Sequence, residues 1–242
     1  NLRIAGLGFE KESKRWYPES SMAAQLVGFV GSVENGRDKG YFGLEGYYDR
    51  ELRGKEGKIQ QQKDVRGTPI LVGDAKRFEP ENGRSLVLYL DRTIQHIAQT
   101  RLLEGMEKYG AKEGTVTILD PKTGGVLAMA SFPNYDPSRF QSFPKELYKN
   151  PIVADSFEPG STFKTLVMSA GLEEKGVTPS TIVDENGPIP IGEYTVRTWN
   201  DTYHGPIDMT KVLTYSSNVG MVFVGRKLGQ ERLLRYIHQF GF

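Results

Sequence analysis

"FEPGSTFK", residues 157–164, is the stretch on which the reading of this chain turns. Pro159 and Gly160 break the chain, and a helix is predicted to start near Ser161. Phe163, Leu166, Val167 and Ala170 supply its mostly buried stripe, and Gly176 ends it. Ser161 and Lys164 stand three apart at that helix start. This spacing puts both side chains on one face, roughly 5–6 Å apart at Cβ. A helix N-terminus favours developing negative charge, and its free N–H groups can serve an oxyanion. A serine nucleophile needs a base, and a free lysine, with a pKa of about 10.4, is a poor one. Burial in an apolar helical setting, or nearby positive charge, lowers that pKa and makes it one. The pattern alone decides nothing, because Ser-x-x-Lys arises by chance about once in a chain of this size. "SFPK", Ser142 to Lys145, repeats it in a Pro-containing, loop-like stretch. On the pattern alone, Ser161 as a helix cap and Lys164 as a solvated cation is the better reading.

Two other short stretches bear on the first. "SSN", Ser216 to Asn218, is a polar break between two predicted helices: "IDMTKVL", capped by Asp208, and the buried "VGMVFVGRKLG". Such a break can project side chains into a cleft, where Ser216 and Asn218 could relay a proton and hold an amide. An ordinary interhelical cap and loop has the same spelling. "LDPKTGGVLA", 119–128, contains Lys122-Thr123-Gly124 between two strand-like runs, "TVTILD" (115–120) and "GVLAMASF" (125–132). Pro121 suits an early turn position, and Gly124 and Gly125 can take positive φ. The tripeptide therefore reads as a hairpin tip.

Working outward, "LVLYL" (86–90) reads as a strand. Asp91 then caps a helix through about Tyr109, with Ile94, Ile97, Ala98 and Leu102 as its apolar face and Gly110 at its end. "FEPENGRS" (78–85) is a domain boundary by composition. Before it, residues 1 to about 80 are rich in Gly and charge. They contain a helix-like segment, Leu44 to Leu52, and an extended polar stretch, "KIQQQKDVRGTPILVGD" (58–74). "QERLLRYIHQFGF" starts a last amphipathic helix with Leu233, Leu234, Ile237 and Phe240.

Composition narrows the function classes. With 31 basic and 30 acidic residues the net charge is +1, which gives no electrostatic argument for nucleic acid. There is no cysteine, so disulfides, thiolate nucleophiles and cysteine metal sites are excluded. His96, His204 and His238 lie far apart without ligand spacing, so no metal site is expected, and no phosphate-binding Gly-rich loop is present. His96 reads as a surface or structural residue. No apolar run approaches the roughly 18 residues of a membrane helix. The chain starts at Asn1 without Met and stops at "QFGF", and it reads as a piece of a longer protein.

Taken in order, "FEPGSTFK", "TWNDTYHG" and "TYSSNVGM" resemble the class B penicillin-binding proteins, the cell-wall D,D-transpeptidases. The middle motif is Ser-Ser-Asn rather than Ser-Asp-Asn, which fits the Ser-x-Asn form those proteins share. "GLEGYYDRELRGKEG" resembles the family's N-terminal pedestal, and "ILDPKTGGVLAMASFPNYDPS" the opening hairpin of its transpeptidase domain. The resemblance implies an α+β fold: an irregular pedestal or dimerisation-like module over 1–82, then part of a transpeptidase domain over 83–242, an antiparallel sheet flanked by helices. It implies that Ser161 attacks the carbonyl between the last two D-alanines of a peptidoglycan stem peptide. Lys164 accepts its proton, Ser216 helps pass one to the departing D-alanine, and Asn218 bonds Lys164 and the substrate amide. A second stem peptide then resolves the acyl-enzyme, and a β-lactam acylates Ser161 and leaves slowly.

The resemblance further implies no metal or organic cofactor, a single N-terminal membrane anchor outside this chain, an extracytoplasmic body and a membrane glycosyltransferase partner. The division or sporulation-septum branch fits best. A serine β-lactamase, or a β-lactam sensor or non-catalytic wall-binding scaffold, are the competing readings. The family's substrate-binding Lys-(Ser/Thr)-Gly follows the other two motifs, whereas Lys122-Thr123-Gly124 precedes both. It is therefore left out of the site. The true third motif is expected beyond Phe242, and the chain ending there should not be a competent transpeptidase.

Overall fold

The computed structural model describes residues 14–32, 38–60 and 76–242. They form two compact units, one running to Asp155 and one from Ser156 to Phe242. Most of the polar stretch read at 58–74 lies outside the described residues.

The first unit runs α1 (Ala24–Val27), β1 (Phe29–Ser32), β2 (Asp38–Tyr41), α2 (Gly43–Tyr47), α3 (Asp49–Arg53), β3 (Lys58–Gln60), β4 (Lys76–Phe78), α4 (Arg92–Tyr109), β5 (Gly114–Leu119), β6 (Val126–Phe132) and α5 (Pro151–Ala154). β1–β2, β3–β4 and β5–β6 are antiparallel pairs. The helix-like segment 44–52 is two short helices broken at Tyr48. An aromatic cluster centred on buried Phe29, Tyr135 and Tyr148 is the core here, with Phe29 and Phe140 stacked at 4.0 Å. The Arg15 guanidinium grips the buried Glu45 carboxylate with two bonds, 2.6 and 3.0 Å, so that charge is paired.

Helix α4 begins and ends as read. Asp91 accepts from the Ile94 N–H, and Gly110 takes φ 64°. Of its predicted apolar face, Ala98 is buried and Ile94 and Leu102 are half-buried, but Ile97 is not. Ile97 is 52% exposed, whereas Gln95 is 1% exposed. The Gln95 amide accepts from the Met129 N–H and donates to the Met129 carbonyl, pairing with the outer edge of β6 as a neighbouring strand would. "LVLYL" is not a strand. At its end the Asp91 N–H reaches the Leu127 carbonyl, but no ladder forms, and Val87 stands 97% exposed. Its apolar composition lacked a partner edge to act on.

The second unit begins with a 3-10 turn, Gly160–Thr162, that feeds α6 (Phe163–Glu173). Then come β7 (Ile182–Glu185), β8 (Ile189–Ile191), β9 (Tyr194–Val196), β10 (Gly205–Asp208), α7 (Met209–Thr214), α8 (Asn218–Leu228) and α9 (Gln230–Gln239). The left-handed residue after α6 is Lys175, φ 54°, not Gly176. β7 and β10 pair antiparallel, as do β8 and β9. Met168 of α6, Val183, Ile207, Met209, Val212, and Met221 and Val224 of α8 close into one core. Each such side chain stabilises the fold by roughly 1.5–3 kcal/mol on burial. Two glycines let the helices approach. A Cβ on Gly171 would meet Val224 at 2.7 Å, and one on Gly220 would meet Val212 at 2.6 Å. This packing clamps the start of α6 against the start of α8, where Ser-x-x-Lys and Ser-x-Asn lie.

Candidate active site

Pro159 and Gly160 turn the chain into α6, with Gly160 at φ 57°. The turn is tied locally: the Thr162 hydroxyl donates to the Pro159 carbonyl at 2.6 Å, and the Thr165 hydroxyl to the Thr162 carbonyl at 2.8 Å. Ser161 is left exposed at the mouth of the turn, and Lys164, one turn on, is half-buried.

At the facing end, α7 is capped by Asp208, which accepts from the Lys211 N–H. Tyr215 closes α7, and Ser217 caps α8 by accepting from the Gly220 N–H at 2.8 Å. Ser217 is fully buried. Between two helix ends set so tightly, Ser216 is forced to φ 54°, a left-handed conformation that costs a non-glycine residue of order 1–3 kcal/mol. The strain aims both Ser216 oxygens at Lys164.

Lys164 Nζ donates to the Ser216 carbonyl at 2.6 Å, to Asn218 Oδ1 at 2.6 Å and to Ser216 Oγ at 3.0 Å. An ammonium has three donors, and these acceptors take all of them. None of the three is a carboxylate, so no countercharge offsets the lysine's desolvation. Burial accordingly lowers the Lys164 pKa below its ordinary 10.5. Ser216 Oγ donates to Ser161 Oγ at 3.1 Å, so Lys164 and Ser161 are joined through Ser216. Asn218 Nδ2 donates to the Arg197 carbonyl at 2.7 Å, which fixes the amide so that its oxygen faces the lysine.

All four residues singled out in the sequence, Ser161, Lys164, Ser216 and Asn218, thus form one hydrogen-bonded chain. The second Ser-x-x-Lys, Ser142 to Lys145, does not: Ser142 ends a 3-10 segment, and Lys145 starts another after Phe143 and Pro144. Lys122-Thr123-Gly124 is the β5–β6 turn in the first unit. Asp120 holds it by accepting from the Lys122 N–H and the Thr123 hydroxyl. Sequence reasoning missed the Arg197 carbonyl, which no residue type encodes. It also missed Glu185, fully buried on β7, whose Oε2 meets His204. Among the described residues no cluster of three or more acidic or histidine side chains could hold a metal ion.

Comparison with known proteins gives this geometry its context. Residues 114–242 match the family profile described as the penicillin binding protein transpeptidase domain, and residues 1–88 match the penicillin-binding protein dimerisation domain. The chain belongs to the penicillin-binding protein transpeptidases. The chain is 33% identical over 246 residues to the peptidoglycan D,D-transpeptidase FtsI homolog of Mesostigma viride, covering 98% of this chain and 40% of the relative. It is 32% identical over 243 residues to stage V sporulation protein D of Bacillus subtilis, covering 100% of this chain and 37% of the relative. Its fold is similar to the crystal structure of penicillin binding protein 2X from Streptococcus thermophilus, with a TM-score of 0.79 and 25% identity over 93% of this chain and 35% of that one. The chain therefore spans about two fifths of the length of these curated relatives. The α+β architecture expected for a penicillin-binding protein is the one observed.

Proposed function

We propose that this chain carries the nucleophile and proton relay of a peptidoglycan D,D-transpeptidase. Ser161 is the nucleophile toward the D-alanyl-D-alanine carbonyl of a stem peptide. With Lys164 neutral, the relay runs from the Ser161 hydroxyl through Ser216 Oγ to Nζ. The same atoms run in reverse to protonate the leaving D-alanine nitrogen. Asn218 keeps Nζ in line and offers its amide to the substrate, and the Ser161 backbone N–H forms half of an oxyanion hole. A second stem peptide's amine resolves the acyl-enzyme, and a β-lactam occupies the same serine. The observation that carries this reading is the unbroken line Lys164 Nζ–Ser216 Oγ–Ser161 Oγ, 3.0 and 3.1 Å. The name of the Mesostigma viride relative, a peptidoglycan D,D-transpeptidase homolog, supports the substrate class.

The pedestal over 1–82 and the transpeptidase domain over 83–242 remain our division of the chain, supported by the two profile matches. A septal role, a membrane anchor, an extracytoplasmic body and a membrane glycosyltransferase partner belong to the same proposal. Among the described residues no helix is long and apolar enough to cross a membrane. The test is to incubate the intact protein and Ser161→Ala with a fluorescent penicillin. We expect covalent label on the former alone. Equal labelling of both overturns the assignment.

A further inference from the structure

The inward positions of β7 are Val183 and Glu185, with Ile182 and Asp184 facing out. Alternation calls for an apolar side chain at 185, yet a carboxylate stands there with no exposure. A buried carboxylate is costly unless something is gained from its hydrogen bonds. The strand register sets Glu185 opposite Gly205, so His204 arrives beside the carboxylate. Both the His204 backbone N–H, at 3.3 Å, and its ring Nδ1, at 2.9 Å, meet Glu185 Oε2. Oε1 has no partner among the described residues. All the polar gain of this buried acid goes into fixing His204.

The fixed ring then has one face on Tyr215, with centroids 4.2 Å apart and planes 19° from parallel. Tyr215 is the residue before Ser216. The Ser217 cap fixes Ser216 from its C-terminal side, and the stack on Tyr215 fixes it from its N-terminal side. A left-handed serine persists only when its surroundings over-determine it.

We infer that Glu185, His204 and Tyr215 are positioning residues for Ser216, an imidazole-phenol stack anchored on a buried carboxylate that holds the proton relay in register. The inference rests on the proposed role of Ser216. None of the three touches the reacting serine; they act through the backbone of residue 216.

The test measures acylation of the intact protein by a fluorescent penicillin, separating the saturating rate constant, the half-saturating concentration and the final label per chain. Small misplacements of a catalytic group can cost up to about a hundredfold, so we expect His204→Ala and Tyr215→Ala to lower the saturating rate about tenfold or more. The final label per chain and the half-saturating concentration should stay near the wild-type values. Tyr215→Phe keeps the stack and should keep the rate. Glu185→Gln keeps an acceptor for His204 and should retain more rate than Glu185→Leu. Tyr215 is 38% exposed, so its two variants leave the core packed and decide the matter even if Glu185→Leu does not fold. A purely structural role would lower the labelled fraction or the melting temperature while leaving the rate per labelled site at wild type, and that result overturns the inference. Label on Ser161→Ala equal to wild type would instead overturn the reading on which it rests.

Discussion

Replacing Asn218 with Ala is the sharpest probe of the relay. The substitution removes two bonds of 2.6 and 2.7 Å: the acceptor for Lys164 Nζ and the donor to the Arg197 carbonyl. The first is charge-assisted while Lys164 is an ammonium. A bond of that kind contributes about 1.5–3 kcal/mol. If all of it serves to hold Nζ against Ser216, the loss corresponds to a roughly ten- to 150-fold slower acylation. Lys164 keeps two acceptors on Ser216, so the effect should fall short of abolishing the reaction. The assay is the single-turnover rate with a fluorescent penicillin, run beside a thermal melt. Asn218→Asp separates the two bonds: it keeps an acceptor for Lys164 but sets a carboxylate oxygen against the Arg197 carbonyl. We expect it also to raise the Lys164 pKa, through the added negative charge. An Asn218→Ala protein that acylates within about twofold of wild type would refute the claim that this bond aligns the base, since even the low end of that range is larger.

Three further outcomes are expected. Burial lowers the Lys164 pKa from 10.5, so the neutral acceptor form grows in as pH rises; the acylation rate should climb through a midpoint below 10.5, and Lys164→Arg should abolish that limb. The same shift makes Lys164 a stability cost that is full below its folded pKa and relieved as pH rises toward 10.5, so its titration does not weaken the fold in this window, and a rate that falls there would contradict the base assignment. Gly220→Ala should lower the melting temperature, because its Cβ would lie 2.6 Å from Val212 and 3.1 Å from Ser217 Oγ, an overpacking worth about 1–3 kcal/mol; an unchanged melt would show that α8 can shift. Lys122→Ala, in the β5–β6 turn, should leave the acylation rate unaltered, and a large loss would reinstate that tripeptide in the site.

What was legible in the sequence was legible for local reasons. Asp91 and Gly110 bracket α4, and Asp208 caps α7, because caps are written in adjacent residues. Pro121 and the paired glycines marked the hairpin tip for the same reason. Ser161 and Lys164 are one helical turn apart, so their proximity needed only the helix. Their meeting with Ser216 and Asn218 is long-range, and it became readable through the family pattern rather than through spacing. The misses follow from the same division. Gln95 is polar and has no place in an apolar period, yet its amide serves a strand edge that only tertiary packing brings near. Ile97 was assigned inward by period and turns outward because Gln95 holds the face. Leu86 to Leu90 had strand composition without a partner edge. The left-handed backbone of Ser216 has no glycine or asparagine to announce it.

The middle residue of the Ser-Ser-Asn motif looks dispensable, since Ser217 touches neither Ser161 nor Lys164. Its hydroxyl nonetheless caps the start of α8, out of reach of solvent. The alphabet that preserves this bond is thus the one that helix starts favour, short side chains with an acceptor oxygen at the γ or δ position: Ser, Thr, Asp or Asn. Ser-Asp-Asn and Ser-Ser-Asn are then two spellings of one fold constraint. A relative with Leu or Lys at the centre would have kept the chemistry's letters and lost the grammar that places them.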